Sequence, residues 1–125
     1  MVLKEFNVYK EHCPSRNVLE LISDKWSVLL ISILLERAYR FGELKRELEG
    51  ISAKVLTQTL VKLERYGFII RIEFAVLPMK VEYSLSTLGN ELGEVLYSLR
   101  LWTEKNMSAI LQAENQFENE MSLIE

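Results

Sequence analysis

The sequence predicts a mainly α-helical protein that carries one small two-stranded β-sheet. Apolar residues recur at helical spacing through most of the chain, whereas between Phe68 and Leu85 the apolar period changes to two. Glycine and proline are few, and Gly50, Gly67 and Pro78 stand between the periodic segments. With 125 residues, 49% of them hydrophobic, the chain is predicted to form one domain over residues 1–125 around a single core.

Two helices are predicted in the N-terminal part of the chain. Pro14 suits the first position of a helix and favours an extended residue before it, which places Cys13 at the N-cap. Ser23 and Asp24 then provide a cap for a second helix over residues 25–36. This second helix is apolar on nearly every side, so we expect it at the centre of the fold.

A short third helix and a clearly bounded fourth helix follow. The third is predicted over residues 40–48, with Gly50 as its left-handed stop. The fourth is predicted over residues 52–66, because Ser52 is a favourable N-cap and Gly67 is a favourable terminator. Two apolar pairs should fix its ends, Ile51 with Leu56 as a hydrophobic staple and Phe68 with Leu63 in a Schellman motif.

The segment of period two predicts an antiparallel ribbon of two strands joined by a turn over residues 75–79. The first strand alternates three apolar residues on one face with two charged residues on the other, namely Ile70, Ile72 and Phe74 against Arg71 and Glu73. The second alternates Val81, Tyr83 and Leu85 with Lys80, Glu82 and Ser84. A small β wing is therefore expected after the fourth helix.

A long last helix is predicted over residues 86–113, capped by Ser86. Its apolar stripe consists of Leu88, Leu92, Val95, Leu99 and Trp102. Gly89 and Gly93 lie four residues apart on it, where they either permit a close helix crossing or, at Gly89, relieve crowding by the wing. The acidic tail over residues 114–125 is expected to fray.

Composition and charge narrow the function classes. The longest apolar run covers residues 26–35 and is too short to span a membrane, and the N-terminus lacks a signal pattern, so a cytoplasmic protein is expected. The net charge of −3 is unevenly spread: residues 23–85 carry ten basic and eight acidic side chains, and residues 86–125 carry two and seven. A net charge of +2 in the middle of the chain permits contact with nucleic acid but is weak support for it.

Two short helices joined by a glycine-containing turn and followed by a hairpin are the elements of a winged helix-turn-helix. The helix over 52–66 would then enter the major groove of DNA. Its N-terminus and Ser52 suit a phosphate, Lys54 suits guanine or phosphate, and Gln58 suits adenine. The predicted DNA-binding residues are Arg40, Ser52, Ala53, Lys54, Thr57, Gln58, Lys62, Arg71 and Lys80. The alternatives are that these side chains form only the solvated face of an amphipathic helix, or that the domain binds protein rather than DNA.

Several short motifs carry a resemblance to a known family. They are Cys13-Pro14, Asp24-Lys25-Trp26-Ser27, Arg40-Phe41 with Glu43-Leu44, Ile51-Ser52, Lys54-Val55-Leu56-Thr57-Gln58 with Leu60, Leu63-Glu64 and Gly67, and Val81-Glu82-Tyr83-Ser84-Leu85 with Leu88-Gly89. Over residues 13–102 the chain resembles the HxlR family of winged helix-turn-helix regulators. The resemblance implies a homodimer that binds an inverted repeat in double-stranded DNA, more often as a repressor. The wing tip departs from the family, since Pro78-Met79 stands where two prolines are common and the only nearby cations are Arg71 and Lys80.

Cys13 is the only cysteine, and two interpretations of it remain open. Family resemblance implies that it senses oxidants or electrophiles, and a thiol at a helix N-terminus is placed to have a lowered pKa. Alternatively it is a small apolar cap packed beneath a dimer. Lone His12 and Cys13 cannot form a metal site within one chain, and neither catalysis, a cofactor nor an effector pocket is predicted.

Dimerisation through the N- and C-terminal helices is predicted because these segments are more apolar than one small domain can bury. The predicted interface consists of Phe6, Tyr9, Leu92, Val95, Leu96, Leu99 and Trp102.

Overall fold

A computed structural model describes residues 5–124 of the chain and shows five helices and a two-stranded sheet. In chain order the elements are α1 (Pro14–Ile22), α2 (Lys25–Leu34), α3 (Phe41–Glu47), α4 (Ala53–Arg65), β1 (Ile69–Phe74), β2 (Lys80–Leu85) and α5 (Thr87–Ile124). This is the predicted winged helix-turn-helix, in which α3 and α4 are followed directly by the hairpin.

The core surrounds α2, as its apolar composition predicted. Leu30, Ile31 and Leu34 of α2 are buried and pack against α1, α4, β2 and α5. The stripe of α4 that meets them consists of Leu56, Leu60 and Leu63, all of them buried. Because this stripe holds α4 by one side, the opposite side of α4 remains at the surface.

Local hydrogen bonds define both ends of α4. The Ser52 hydroxyl oxygen accepts the backbone N–H of Val55 at 3.1 Å, which makes Ser52 the predicted N-cap. At the other end Phe68 N–H donates to the Leu63 carbonyl and Gly67 N–H to the Glu64 carbonyl, each at 3.0 Å. With Gly67 at a φ of 81°, these two bonds are the predicted Schellman motif, so α4 begins and ends where its sequence indicated.

The wing pairs β1 and β2 in antiparallel register, with Ile69 opposite Leu85 and Phe74 opposite Lys80. Ile69 and Leu85 are buried at the core end of the ribbon, and the apolar face formed by Ile70, Ile72 and Phe74 is exposed. One contact was not anticipated: Tyr39, in the loop before α3, exchanges two backbone hydrogen bonds with Tyr83 of β2, at 2.9 and 2.8 Å. This bridge ties the loop that precedes the helix-turn-helix to the wing.

Helix α5 is longer than predicted. It runs unbroken through 38 residues, about 57 Å at 1.5 Å per residue, and the expectation of a frayed tail after residue 113 is wrong. The acidic residues of the tail suggested solvation, but no glycine or proline interrupts the segment after Gly93. Glu125, the last residue of that tail, lies outside the described part.

An added side chain at each of the two glycines of α5 would meet a different neighbour. A Cβ on Gly89 would lie 2.0 Å from the Phe68 carbonyl oxygen, so this glycine allows the wing backbone to touch the helix. A Cβ on Gly93 would lie 3.0 Å from Leu35 Cδ1 and 3.7 Å from Ile31 Cγ2, so this glycine allows α5 to cross close to α2. Both of the alternatives drawn from the sequence therefore apply, each to its own residue.

Candidate nucleic-acid interface

The outward side of α4 presents polar side chains along four turns. Ala53, Lys54, Thr57, Gln58 and Arg65 are exposed because the leucine stripe faces the opposite way. Ala53 and Thr57 lie four residues apart, as do Lys54 and Gln58, and Arg65 follows Gln58 by seven, so all five share one side of the helix. A rigid helix anchored by its leucines and open on its other side has the shape that enters a major groove.

The first turn of α4 offers donors to an anion. The Ser52 hydroxyl accepts the cap hydrogen bond through its oxygen, which leaves its own hydrogen available for a phosphate. Lys54 is exposed and makes no ion pair with any residue in the described part of the chain. Both residues lie at the positive end of the helix dipole, and their role in binding an anion stays a prediction.

The second turn carries the side chains suited to base contacts. The Thr57 hydroxyl donates to the Ala53 carbonyl at 2.8 Å, so its donor hydrogen is used within the helix and its methyl group remains for an apolar contact. The Gln58 amide is exposed and has no hydrogen bond with residues 5–124. Its donor and acceptor are therefore both free for the paired contact that adenine accepts.

Lys62 does not extend from the face as predicted. Its ammonium lies 3.4 Å from the Leu21 carbonyl oxygen and 3.9 Å from Asp24 Oδ2. These contacts tie α4 to the junction of α1 and α2, and the assignment of Lys62 to DNA contact stays a prediction. Helical periodicity placed it on the polar face but could not show that this flank meets another pair of helix ends.

Arg40 is exposed at the N-cap of α3, beside the turn that leads to α4. Its backbone N–H donates to Glu43 Oε1 at 2.9 Å, and Arg37 contacts the other carboxylate oxygen at 3.2 Å. These contacts, the Arg40 hydrogen bond first, hold the pKa of Glu43 below its ordinary value. The carboxylate thus fixes the start of α3 while the Arg40 guanidinium remains outside.

The wing cations are paired with acidic neighbours. Arg71 forms an ion pair with Glu73. The hydrogen bond within this pair is the largest cause of the raised pKa of Arg71. Lys80 lies 2.9 Å from Glu82 and stands over the ring of Phe74. Both residues lie on the wing as predicted, but each charge is largely balanced. The wing therefore offers less unpaired positive charge than α4, where Lys54 makes no ion pair within residues 5–124.

The thiol of Cys13 lies at the N-cap of α1, as predicted, and is half-buried. Its sulfur accepts the backbone N–H of Asn7 at 3.2 Å and lies 3.0 Å from the Ser15 hydroxyl. Arg16 of α1 donates to the carbonyls of Val8 and Tyr9. Cys13 therefore joins the N-terminal segment to α1 through polar contacts.

The residues predicted at a dimer interface separate into two groups. Phe6, Tyr9, Val95, Leu99 and Trp102 are exposed, Trp102 by 58%. Leu92 packs against the core of the protomer, and Leu96, at 6% exposure, belongs to that core. Leu96 is therefore removed from the predicted interface, because its surface is already covered within one chain.

Two further features of the described residues bear on function. Residues 5–124 contain no cluster of three or more histidine, cysteine or acidic side chains placed to hold a metal ion. None of the helices there is both long and apolar enough to span a lipid bilayer.

Comparison with known proteins shows that the chain matches the model of one protein family. The model described as HxlR-like helix-turn-helix matches residues 21–111. The HTH-type transcriptional regulator YtfH of Escherichia coli is 41% identical over 114 residues, which cover 91% of this chain and 90% of that protein.

Solved structures show the same likeness. The transcriptional regulator YtfH from Salmonella typhimurium superposes with a TM-score of 0.83 at 38% identity, covering 89% of this chain and 99% of that one. The redox regulator HypR in its oxidized form gives a TM-score of 0.70 at 33% identity, covering 75% and 97%.

Proposed function

The chain belongs to the HxlR-like helix-turn-helix family of transcription regulators, and from that premise we propose that it acts as a homodimer that occupies an inverted-repeat operator as a repressor. In this proposal each α4 enters one major groove, and the protein regulates by occupancy without catalysing a reaction. Binding to the chromosome would place it in the cytoplasm.

The observation that carries the proposal is that the first two turns of α4 expose polar side chains without partners in the described part of the chain. Lys54 and Gln58 project from a helix held in place by buried leucines and have no partner among residues 5–124. Elsewhere on the DNA-facing side, Arg71, Lys80 and Lys62 are engaged with acidic or backbone groups. Free polar side chains on a rigid recognition helix are what base and phosphate contacts need.

The surface of α5 supports the dimer. Beyond residue 100 this helix leaves the core, yet it continues to carry exposed apolar side chains. Ile110, Phe117 and Ile124 recur at intervals of seven residues, a spacing typical of a helix that packs along a partner helix. A second copy of the same helix would cover this stripe and the exposed Val95, Leu99 and Trp102.

Two substitutions on α4 test the proposal. Gln58→Ala should weaken binding to the operator by about 1–3 kcal/mol and leave binding to random duplex nearly unchanged, because a base partner contributes only at its own sequence. Lys54→Ala should lower the slope of log affinity against log salt by about one unit if the ammonium contacts phosphate. Affinities of full-length protein for a labelled operator, selected from random duplexes, provide both measurements.

Lys105→Ala is the matched control for Lys54, since Lys105 is an exposed lysine on α5, outside the helix-turn-helix. It should change neither the affinity nor the salt slope. If the wild-type chain binds no duplex more tightly than it binds random DNA, the alternative of a protein-interaction module is supported instead. Equal losses on operator and random DNA would remove Gln58 from base contact.

A second candidate is a regulator of the same kind whose DNA affinity changes when Cys13 is oxidised. The contact that favours it is the backbone N–H of Asn7 on the sulfur, because a hydrogen bond to sulfur stabilises the thiolate that reacts. The comparison with HypR, named a redox regulator, adds support. With one cysteine per chain, the disulfide must join two subunits or a small thiol.

Diamide distinguishes the two roles of Cys13. It removes two hydrogens from two thiols and leaves a disulfide, so a sensor should show altered operator affinity after treatment. Cys13→Ser should abolish that response and preserve binding by the reduced protein. An alkylatable Cys13 whose oxidation leaves the affinity unchanged would eliminate the switch.

A further inference from the structure

A cavity of about 270 Å³ is lined by residues of α2, α3 and α5 and of the loop before α3, and no residue of α4 lines it. Leu29 and Ile33 of α2 and Leu48 at the end of α3 form its apolar wall. Its volume lies near the lower limit of roughly 300–1,000 Å³ for ligand pockets in proteins, so only a small molecule would fit.

One end of the cavity is acidic. Glu36 and Glu47 both line it, beside Tyr39, whose hydroxyl donates to Glu36 Oε2 at 3.1 Å. Burial raises the pKa of Tyr39 first, and the Glu36 hydrogen bond and the Glu47 charge raise it further. Both carboxylates therefore line the cavity together with this phenol.

The other end of the cavity holds two donors without acceptors. Ser32 is 4% exposed, and its hydroxyl has no hydrogen-bond partner in the described part of the chain. The Nε–H of Arg100 is buried and equally unpaired within residues 5–124, while the Nη1 of the same guanidinium contacts Glu104 at 3.2 Å. Native proteins seldom leave buried donors without a partner unless water or a ligand supplies one.

These two ends lie apart along α2. Ser32 lies within α2, whereas Glu36 lies in the turn that follows the end of this helix. Arg100 also lines a neighbouring groove with Lys25, Val28 and Leu29, which places it toward the N-terminal half of α2. The cavity therefore has an acceptor end, a donor end and an apolar wall.

We propose that this cavity binds a small zwitterion with an apolar body, of the class of free apolar amino acids. Glu36 and Glu47 would hold the ammonium group, Ser32 and the Nε–H of Arg100 would hold the carboxylate, and the apolar body would lie on Leu29 and Leu48. An amine alone leaves both buried donors unpaired, and a carboxylate alone faces two glutamates. A ligand with both charges satisfies each end.

Calorimetry on the full-length protein without DNA tests the inference, so its failure is distinct from a failure of operator binding. L-leucine, L-methionine and L-phenylalanine are titrated to about 10 mM, a concentration that reveals even a millimolar Kd. At least one should bind, and its analogues that lack the carboxylate or the ammonium group should bind about tenfold more weakly or worse. For leucine these analogues are 3-methylbutylamine and 4-methylpentanoate.

Ser32→Ala separates ligand binding from folding. Removal of an unpaired buried hydroxyl should leave the free protein as stable as the wild type or more so, and should weaken the amino acid about tenfold. Ser27→Ala is the matched control, because Ser27 is also buried with an unpaired hydroxyl but does not line the cavity. Its ligand affinity should equal that of the wild type.

Three results would overturn the proposal. The first is no heat and no thermal stabilisation with any of the three amino acids, which would mean that the cavity holds only water. The second is equal binding by an amino acid and one of its singly charged analogues. The third is unchanged affinity in Ser32→Ala.

Discussion

Replacement of Gly89 by alanine places a methyl group against the backbone of the wing. The added Cβ would lie 2.0 Å from the Phe68 carbonyl oxygen and 3.0 Å from its carbonyl carbon. That carbonyl also accepts the N–H of Ser86 at 3.0 Å, and the Ser86 hydroxyl accepts the N–H of Gly89. The clash is therefore with backbone held on both sides, and relief requires α5 to separate from the wing.

The magnitude follows from two opposing terms. Alanine in place of glycine within a helix stabilises by about 1 kcal/mol. Overpacking against rigid structure costs about 1–3 kcal/mol and occasionally more, and a contact of 2.0 Å with backbone belongs at the upper end. We expect a net loss of about 2 kcal/mol, which for a domain of this size lowers Tm by roughly 8 °C.

Gly93→Ala is the control for this prediction. Its Cβ would meet Leu35 Cδ1 at 3.0 Å, the end of a side chain that can rotate, so the helix gain should nearly cancel the strain. Urea unfolding and thermal melting of both variants at equal protein concentration measure the difference. The reasoning is refuted if Gly89→Ala is as stable as the wild type, or if the two variants lose equal stability.

Three further predictions address the wing, the dimer and pH. The double substitution Glu73→Gln and Glu82→Gln should free Arg71 and Lys80 from their ion pairs. The slope of log affinity for DNA against log salt should then steepen by up to about two units, and an unchanged slope would mean that the wing does not contact the DNA. Trp102→Lys should weaken dimerisation by about tenfold or more in sedimentation experiments, and an unaltered dimer would place the interface elsewhere. Glu43 has a lowered pKa in the folded state, so its contribution to stability is present above about pH 4.3 and is lost as the pH falls through that lowered value. Glu43→Gln should flatten stability in this acid range, and melting curves between neutral and acid pH would show whether it does.

The features of α4 that could be predicted depend on neighbouring residues. The Ser52 cap, the Gly67 terminator and the leucine stripe each follow from contacts across a few positions, so the pattern of side chains determines them. The exposure of Lys54 and Gln58 follows in turn from the position of that stripe. Contacts between neighbouring residues were therefore sufficient to predict the ends and the exposed side of α4, the helix at the centre of the proposed interface.

The features that could not be predicted join distant parts of the chain. Lys62 contacts the Leu21 carbonyl from 41 residues away, and Tyr39 bridges to Tyr83 across the helix-turn-helix. The zwitterion cavity likewise has walls from three helices, and an unpaired serine hydroxyl has no signature in sequence. Leu96 was misplaced for the same reason, since its stripe on α5 is shared between the core and the surface.

The junction around Phe68 also bears on how the distance between two DNA-binding helices would be set. Phe68 ends the Schellman motif of α4, its carbonyl accepts from Ser86 at the start of α5, and Gly89 lets the two backbones touch. The end of the recognition helix and the start of the 38-residue α5 are therefore joined through backbone contacts at Phe68. In a dimer held along α5, the spacing of the two recognition helices becomes a function of the angle at which the long helices cross. The crossing angle would then determine which spacing of operator half-sites the dimer can bind. An effector need change only that angle to prevent the two α4 helices from entering successive major grooves.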